Sequence, residues 1–423
     1  MAQGWAESAW DAIIIGGGAA GLMAAIRAAE LGAEKGARIL LLEKGKKPGV
    51  KILMSGGSRC NITHHCSNRD IATAFGKNGQ CLLSPLSSFG VEDTVRFFEA
   101  EGVKTKIEST GKIFPVSNKA SDVLEALLHR LERTGAVLAC EKSVQSIKRG
   151  ADGFTVAGQG FSFLGKRILI ASGGKSFPRC GTTGDAYTWL KELGHSIVST
   201  HPSLVPLTTN LPWIRDLSGI TLKDTRVEVG TNGKAIAADR NAWLFTHFGY
   251  SGPAPMNLSR WITTSSGAGW LRLDSLPELS AQAVESHILQ SLPSMGKRSL
   301  VSLLAHLFGE AVPQRWAEAL VGQASIPLER KGSELGKTER QKLVQALKGL
   351  QLQVAGSCGF DKAEVTAGGV NVKEVDFKTM QSRIVPNLFL AGEILDLDGP
   401  IGGFNFQSAW STGWRAGTSL VSE

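Results

Sequence analysis

The chain has 423 residues, of which 42% are hydrophobic and 20% are charged. This composition is typical of an ordinary globular protein, and the length is too great for one core, so we expect two or three domains. The net charge of +8 comes from basic residues spread along the chain, which favours a solvated face or compensation for an anionic cofactor. Because no module of interleaved aromatic and basic residues is present, we expect a small-molecule substrate and no nucleic-acid partner.

The sequence also predicts where the protein resides. Residues 1–10 lack the basic and apolar pattern of a secretory signal. The longest uncharged stretch, 12–26, is too short and too rich in glycine to span a bilayer. The six cysteines form no Cys-x-x-Cys pair, so we expect neither disulfides nor a metal site. These features predict a cytoplasmic protein without membrane contact and leave its oligomeric state open.

The most informative motif is a glycine turn after the first predicted strand. Residues 13–21 read Ile-Ile-Ile-Gly-Gly-Gly-Ala-Ala-Gly and lead into a run, 22–31, with helical spacing of apolar residues. A strand, a glycine turn and a helix in this order are typical of a site for a dinucleotide pyrophosphate. Gly16 permits the tight turn, Gly18 lets the backbone approach the phosphates, and Gly21 allows close contact between helix and strand. The helix N-terminus offers unpaired N–H groups to the anion.

A second predicted strand, 38–42, ends in an acidic residue, Glu43. This carboxylate follows Gly21 by about 20 residues, the spacing at which it can accept hydrogen bonds from a ribose. By itself this pattern predicts a dinucleotide, either NAD or FAD.

A long loop is expected at 45–63, with a cationic and glycine-rich centre. Lys51 and Arg59 can offset phosphate charge, and Ser55 and Asn61 can hydrogen-bond a ring or a phosphate. The cysteine after Arg59 is a conceivable reactive thiol, because the guanidinium would favour its thiolate. No partner cysteine is placed to make it a disulfide reductase.

The rest of the chain alternates between strands and helices, then changes character twice. We expect helices at 91–100 and 120–134, strands at 136–140 and 166–171, and, at Val144, backbone that can reach an adenine. Short β-rich segments follow, then a helical stretch, and then strands followed by glycine-rich turns are expected again. The predicted domains are 1–194 (cofactor-binding, first part), 195–275 (inserted, β-rich), 276–353 (inserted, helical) and 354–423 (cofactor-binding, second part).

Two further glycine-rich patches lie far along the chain. The first reads Ile-Ala-Ser-Gly-Gly at 170–174 and is similar to the element with which FAD proteins pass their chain beside the cofactor. The second, 388–407, delivers Gly392 and Glu393 from a strand and then starts a final helix rich in small residues. The N-terminus of that helix could face the pyrimidine of a flavin, where negative charge develops on reduction.

Taken together these motifs resemble the BaiN-like flavoproteins, also called the aminoacetone oxidase family of FAD-binding enzymes. The resemblance covers nearly the whole chain. It rests on the glycine turn, on Lys-Lys-Pro-Gly-Val-Lys-Ile-Leu-Met-Ser-Gly-Gly-Ser-Arg-Cys-Asn at 46–61, on Leu-Phe-Thr-His-Phe-Gly-Tyr-Ser-Gly-Pro at 244–253, on Thr-Ala-Gly-Gly-Val at 366–370, and on 391–407. It implies an α/β fold with a two-part Rossmann-like FAD-binding domain, an inserted β-barrel-like domain and a helical cap.

The resemblance also implies roles for particular residues. Two positions depart from the family pattern: Ser58 stands where glycine is usual, and Phe404 stands where tyrosine is common. Phe404 therefore lacks a hydroxyl to which a role beside the flavin could be assigned. Motifs and resemblance together predict the following cofactor-binding residues: Gly16, Gly17, Gly18, Ala19, Ala20, Gly21, Glu43, Lys44, Lys51, Ser55, Gly57, Arg59, Asn61, Val144, Ser172, Gly173, Gly392, Glu393, Asp396, Gly403, Phe404 and Asn405.

The function expected from these observations is an FAD-dependent oxidoreductase that moves a hydride through flavin N5. NADH or NADPH would be a transient donor for the reduction of an activated C=C bond, because no second glycine fingerprint is present for a nicotinamide cofactor. One alternative is an amine oxidase that acts on aminoacetone-like substrates and returns electrons to oxygen. Another, from a different class, is an FAD-binding RNA-modification or regulatory protein. No residue stands out as a catalytic acid or base.

Overall fold

The computed structural model describes residues 9–267 and 269–422, so the prediction about a secretory signal falls almost wholly outside the described residues. The chain forms two compact units. Unit 1 consists of the described residues up to His201 and from Val365 onward, and unit 2 is Pro202–Glu364. In the part of the chain that is described, no helix is long and apolar enough to cross a membrane.

The elements of unit 1 come from both ends of the chain. The first stretch contains β1 (Trp10–Ile15), α1 (Ala19–Gly32), β2 (Ile39–Leu42), α2 (Val50–Ser58), β3 (Thr63–His64), α3 (Asn68–Ala74), α4 (Leu83–Ser88), α5 (Val91–Ala100), β4 (Thr105–Ile107), β5 (Lys112–Pro115), α6 (Ala120–Arg133), β6 (Val137–Ala139), β7 (Val144–Gly150), β8 (Gly153–Gly158), β9 (Phe161–Ile170), α7 (Ala186–Glu192) and β10 (Ile197–Ser203). Unit 2 contributes β11 (Leu207–Thr208), β12 (Thr221–Thr231), β13 (Lys234–Thr246), β14 (Gly249–Ser251), α8 (Pro253–Thr263), β15 (Gly269–Asp274), α9 (Ala281–Met295), α10 (Leu300–Phe308), α11 (Gln314–Gln323), α12 (Lys337–Gly349), β16 (Leu350–Val354) and β17 (Gly356–Ser357). The last stretch of unit 1 contains β18 (Val365–Val370), β19 (Val375–Asp376), β20 (Gln381–Ser382), β21 (Leu388–Leu390) and α13 (Phe404–Leu420).

The main sheet of unit 1 is Rossmann-like. Five neighbouring strands, in the order β21-β9-β1-β2-β6, are all parallel. From β1 the chain moves to β2 and then to β6 on one side, whereas β9 lies on the other side of β1, so the strand order reverses between β1 and β9. Ligands of open α/β sheets bind at such a reversal, outside the carboxyl ends of the strands. The continuous apolar runs of β1 and β2 are buried, as strands covered on both faces require.

Two helices of unit 1 pack unusually close together because both are rich in small residues. A Cβ on Gly413 of α13 would lie 2.3 Å from the carbonyl oxygen of Ala20 in α1, and one on Gly417 would lie 2.5 Å from that of Ala24. Only glycine fits at these two positions without moving the backbone. The last helix of the chain is thereby held against the first, and its N-terminus is positioned by that packing.

Unit 2 contains a seven-stranded sheet and a set of helices. The sheet is antiparallel, in the order β16-β15-β12-β13-β14-β11-β17. Its two end strands, β16 and β17, are separated by one residue in the chain, which brings the two ends of the sheet near each other. Helices α9 to α12 follow β15, and their apolar faces share one core with the sheet.

One prediction about local structure was wrong. The stretch 45–63, expected to be a loop, contains helix α2, Val50–Ser58. Its first turns carry good helix formers and bury Ile52, and the helical conformation breaks at Ser55–Gly57, where the two glycines have positive φ. The glycines that suggested a loop therefore define the end of a short helix.

Candidate functional site

Predicted cofactor-binding residues follow four neighbouring parallel strands of unit 1. Strand β21 leads to Gly392, β9 to Ser172, β1 to Gly16 and β2 to Glu43. Because these strands are parallel and adjacent, their carboxyl ends form one edge of the sheet, which we call the carboxyl edge. Five strands including β6 span about 19 Å at a spacing of about 4.8 Å. An elongated dinucleotide suits an edge of that length.

The glycine turn after β1 has the conformation that its motif predicts. Gly16 has φ +107°, and a Cβ there would lie 2.6 Å from the carbonyl oxygen of Ala171 after β9. A Cβ on Gly21 would lie 1.9 Å from the carbonyl oxygen of Gly16. Gly18 differs: it is the N-cap of α1, has no side-chain cap, and the space in its Cβ direction is open. The turn therefore closes tightly on itself and presents a helix N-terminus, beginning at Ala19, to an open side.

The side chain of Glu43, after β2, binds the backbone of this glycine turn. Its carboxylate accepts hydrogen bonds from the backbone N–H groups of Gly17 at 2.8 Å and of Gly45 at 2.6 Å. The carbonyl of Glu43 accepts a bond from Lys142 N–H at 2.9 Å. This bond brings the segment before β7, and hence Val144, beside the end of β2. The structure thus places the predicted ribose and adenine residues next to each other.

A charged network joins the loop after β2 to the Gly392 segment. Lys51 Nζ lies 2.5 Å from Glu393 Oε2 and donates a hydrogen bond to Ser176 Oγ at 2.6 Å. The other oxygen of Glu393 accepts bonds from Ser176 Oγ and, at 2.9 Å, from the N–H of Thr366. Gly392 itself packs against α1, since a Cβ there would lie 2.9 Å from that of Ala20. Two motifs separated by more than three hundred residues are therefore held together at the carboxyl edge.

Sequence reasoning did not assign Ser176 and Thr366 to the site. Thr366 Oγ1 also accepts hydrogen bonds from the N–H groups of Lys175 and Ser176, which ties the segment after β9 to β18. Ser176 follows the predicted Ser172 and Gly173 patch by only a few residues. That proximity, together with a run of small residues continuing past the strand, is a signal from which Ser176 could have been found.

Two buried polar atoms at the site have no hydrogen-bond partner among the residues that the structure describes. They are Asn61 Oδ1 and Ser172 Oγ, both on predicted site residues. A buried polar atom without a partner costs about 1–3 kcal/mol, so such atoms are usually satisfied by something. Gly57, whose φ is +68°, also faces open space, as Gly18 does. Unmet acceptors and donors, open glycines and an uncapped helix N-terminus fit a long, polar, anionic cofactor such as FAD.

The segment that precedes α13 is folded into a tight turn. Asn405 Oδ1 accepts a hydrogen bond from Gly399 N–H at 2.8 Å, and its Nδ2 donates to the Gly399 carbonyl at 2.9 Å. Gly403, the N-cap of α13, has φ +93°, and a Cβ there would lie 2.5 Å from the backbone of Thr63. The ring of Phe404 stacks on His64, with 4.7 Å between ring centroids. The start of α13 is therefore fixed against β3.

Other predicted side chains have partners within the protein. Lys44 pairs with Asp185 at 2.7 Å, and Asp396 accepts a bond from Asn78 at 2.9 Å. Ser55 Oγ donates to the carbonyl of Ile52 at 2.7 Å. In this structure these polar groups hold the protein's own segments in place.

The interpretation of the cysteine after Arg59 as a reactive thiol was wrong. Cys60 is fully buried, and burial raises its pKa to about 12. Arg59 instead pairs with Glu108 at 2.7 Å and lies 4.0 Å above the ring of Phe114. Within the described ranges, no three His, Cys, Asp or Glu side chains are grouped so as to hold a metal ion.

Ser58 adopts a backbone conformation that favours glycine, the residue that the resemblance implied for this position. Its φ is +66°, in the left-handed region, directly after the positive φ of Gly57. A serine in this region is strained by about 1 kcal/mol or more relative to glycine. The loop thus keeps its shape at a cost in stability.

A small three-stranded sheet beside this loop has a basic outer face. In the order β3-β5-β4, His64 pairs with Lys112, and Lys106 pairs with Phe114. Cross-strand partners share a face, as do residues two apart in one strand, so these four side chains lie on one face. On the opposite face Ile113 is buried, whereas its cross-strand partner Ile107 is exposed. Sequence reasoning missed this face, because its basic residues are separated along the chain.

Comparison with known proteins places the chain in a group of flavoenzymes. The family described as "HI0933-like protein Rossmann domain" matches residues 10–419. The 3-dehydro-bile acid delta(4,6)-reductase of Clostridium scindens is 32% identical over 411 residues, which cover 96% of this chain and 98% of that protein. The ribosomal RNA dihydrouridine synthase of Escherichia coli is 30% identical over 415 residues, covering 97% and 98%. The structure of 3-ketosteroid-delta4-(5alpha)-dehydrogenase from Rhodococcus jostii has a similar fold, with a TM-score of 0.53 and 15% identity over 100% of this chain and 99% of that one.

The fold, the carboxyl edge and these similarities define an FAD-dependent oxidoreductase with a Rossmann-like cofactor domain. The chain belongs to the HI0933-like family of FAD-binding proteins, the family to which the BaiN-like resemblance pointed. The predicted fold class, cofactor and oxidoreductase activity are therefore confirmed at this level.

Proposed function

We propose that the protein is a reductase that adds hydrogen across a C=C bond conjugated to a carbonyl group, with NADH or NADPH as the electron donor. The observation that carries this proposal is the carboxyl edge, where segments far apart in sequence meet around open glycines and unpartnered polar atoms. Its reaction consumes one NAD(P)H and one proton and yields NAD(P)⁺ and the saturated carbonyl compound. FAD bound at this edge would supply the hydride-transfer chemistry, and the protein's residues would bind and orient it.

The residues of the edge suggest how FAD would be held. The N–H groups at the start of α1, next to Gly18, would bind the pyrophosphate. The carboxylate of Glu43 would accept from the adenosine ribose, and Val144 would meet the adenine. Asn61 Oδ1 and Ser172 Oγ would find partners on the cofactor.

The remaining predicted residues would orient the flavin end. The Lys51–Glu393 pair fixes the segment after β21 against the loop after β2, and these two segments would hold the flavin. The uncapped start of α13, next to Gly403, would stabilise negative charge on the reduced flavin. The sequence has one glycine fingerprint of the dinucleotide type, so the nicotinamide would visit the same edge rather than a domain of its own.

The names of two relatives favour this bond chemistry over amine oxidation. One is a delta(4,6)-reductase of a 3-dehydro-bile acid and the other a dihydrouridine synthase, and both names describe the addition of hydrogen to an unsaturated ring. A steroid enone and the uracil ring of RNA are therefore the two substrates to test first. Uracil in RNA is favoured by the basic face beside the predicted flavin loop, which a neutral enone would not need.

The experiment is an anaerobic reduction of the purified protein with its FAD bound. NADH or NADPH should bleach the visible band of the oxidised flavin, and aminoacetone should not. A steroid enone or a uridine-containing RNA should then restore the band under nitrogen, and mass spectrometry should show a gain of two hydrogens in that compound. If aminoacetone alone bleaches the flavin and only oxygen restores it, the protein is an amine oxidase and the proposal fails.

A further inference from the structure

We propose that the basic face of the small sheet β3-β5-β4 binds the phosphate backbone of single-stranded RNA and leads one base to the flavin. The face carries His64, Lys106, Lys112 and Phe114, as described above, and we extend it by Lys104 and Arg59 at its margins. The inference rests on the proposed function only for the position of the flavin. Its evidence is the register, exposure and charge of this sheet.

The face is built on one side of the sheet. Lys112 and Phe114 are two residues apart in β5, so both lie on the side of the sheet opposite the buried Ile113. Lys106 pairs with Phe114 across the sheet, and His64 pairs with Lys112, so both of these partners lie on that same side. Lys104 lies two residues before Lys106, and its carbonyl accepts a hydrogen bond from Val116 N–H, so it continues the same side.

The lysines of the face are available to a ligand. Lys104 is exposed and the other two lysines are half-buried. None of the three forms an ion pair with any residue that the structure describes. The carboxylate of Glu108 at the end of β4 is already bound by Arg59. The face therefore has a net positive charge.

The spacing of the charges fits a chain of anions better than one carboxylate. Lysines two apart on a strand are separated by about 7 Å, and neighbouring strands lie about 5 Å apart. One carboxylate, as on a bile acid, cannot contact cations distributed over such an area. A nucleic-acid strand offers one negative charge per nucleotide and is held by cations spaced along it.

The face also ends at the predicted flavin site. The ring of Phe114 packs under Arg59, and a Cβ on Gly56 in the loop after β2 would lie 3.1 Å from that ring. At the other side His64 stacks on Phe404 at the start of α13. A strand held on the face thus passes both segments that we place beside the flavin. A base must leave its stack to react, which favours single-stranded RNA over a duplex.

The test compares two sets of lysines in the FAD-loaded protein. The face set is Lys104→Gln, Lys106→Gln and Lys112→Gln together. The control set is Lys297→Gln, Lys337→Gln and Lys342→Gln, three exposed lysines of unit 2 without an ion pair in the described part of the chain. Both sets remove the same charge. The probe is a fluorescent single-stranded oligoribonucleotide that contains uridine, and its anisotropy is measured over a range of salt concentrations.

We expect the face set to weaken binding about ten-fold or more, and to reduce the salt slope by about 2, since each phosphate contact on a single strand contributes about 0.7. The control set should change neither. A face set with arginine in place of each lysine should restore binding, which separates lost charge from lost folding, and unchanged FAD content provides a further check on folding.

Equal behaviour of the two sets would overturn the inference. So would salt-independent binding by the unchanged protein, or equal affinity for duplex DNA. The assay contains no NAD(P)H, so it is independent of the proposed reduction. Binding of RNA through the face, without reduction of either uridine or a steroid enone in the anaerobic assay, would leave the RNA-binding role of the face standing and refute the proposed function.

Discussion

Alanine substitutions at two glycines of the same turn should have different effects: one should weaken FAD binding and the other should lower the free energy of unfolding. Gly18 has φ −84°, which alanine adopts readily, and open space in its Cβ direction. In the FAD-free protein, Gly18→Ala brings a poorer N-cap but a less flexible unfolded chain, two opposing effects of at most about 1 kcal/mol each. We therefore expect its free energy of unfolding to change little. Gly21→Ala would put a Cβ 1.9 Å from the Gly16 carbonyl oxygen, so the turn must open.

The two variants should also separate stability from FAD affinity. The methyl group of Gly18→Ala would point to where we place the pyrophosphate. Loss of one hydrogen bond to a charged group costs about 1.5–3 kcal/mol, which corresponds to about 10- to 150-fold weaker FAD binding. Gly21→Ala should instead lose about 1–3 kcal/mol or more of unfolding free energy, through overpacking, before any cofactor is added.

The assay is urea unfolding of the FAD-free variants, followed by FAD titration monitored by flavin fluorescence. Two results would refute the reasoning. One is a Gly18→Ala protein that unfolds as easily as Gly21→Ala, and the other is a Gly18→Ala protein that binds FAD as tightly as the unchanged chain.

Three further predictions concern stability. Ser58→Gly should raise the unfolding free energy by up to about 1 kcal/mol in urea, because the strain of a positive φ is removed; an unchanged or lower value would contradict this. The hydroxyl of Tyr187 is buried without a partner in the described part of the chain, whereas that of Tyr250 donates to a backbone carbonyl, so in FAD-free protein Tyr187→Phe should cost nothing and Tyr250→Phe about 1 kcal/mol. Equal losses in calorimetry would argue against that reasoning. Burial lowers the pKa of His195 despite the neighbouring Glu374, so its contribution to stability is present above about pH 6.5 and is lost as the pH falls. The fall in unfolding free energy from pH 7 to about 5 should be smaller in His195→Gln, and identical pH profiles would exclude His195 as a cause.

Much of unit 1 was predictable because its signals are local. The run Ile13–Ile15, the glycines after it and the apolar helix specify β1, the turn and α1 by residue type and spacing alone. The helix predicted at 91–100 is found as Val91–Ala100, and the one predicted at 120–134 as Ala120–Arg133. Helix α2 was not predicted because its two adjacent glycines suggested a loop more strongly than the three good helix formers ahead of them, Lys51, Leu53 and Met54, suggested a helix.

The sequence by itself therefore determined that a dinucleotide-binding site exists and which family of flavoproteins the chain belongs to. The reason is that consecutive residues specify a turn that only glycine can adopt. Only the tertiary structure decided what meets at that edge. Lys51 and Glu393 form a pair because β21 lies beside β9, an arrangement set by the packing of the sheet and not by spacing in the chain. The basic face likewise exists only because β3, β5 and β4 pair in one register, since sequence separation conceals which side chains share a side of a sheet.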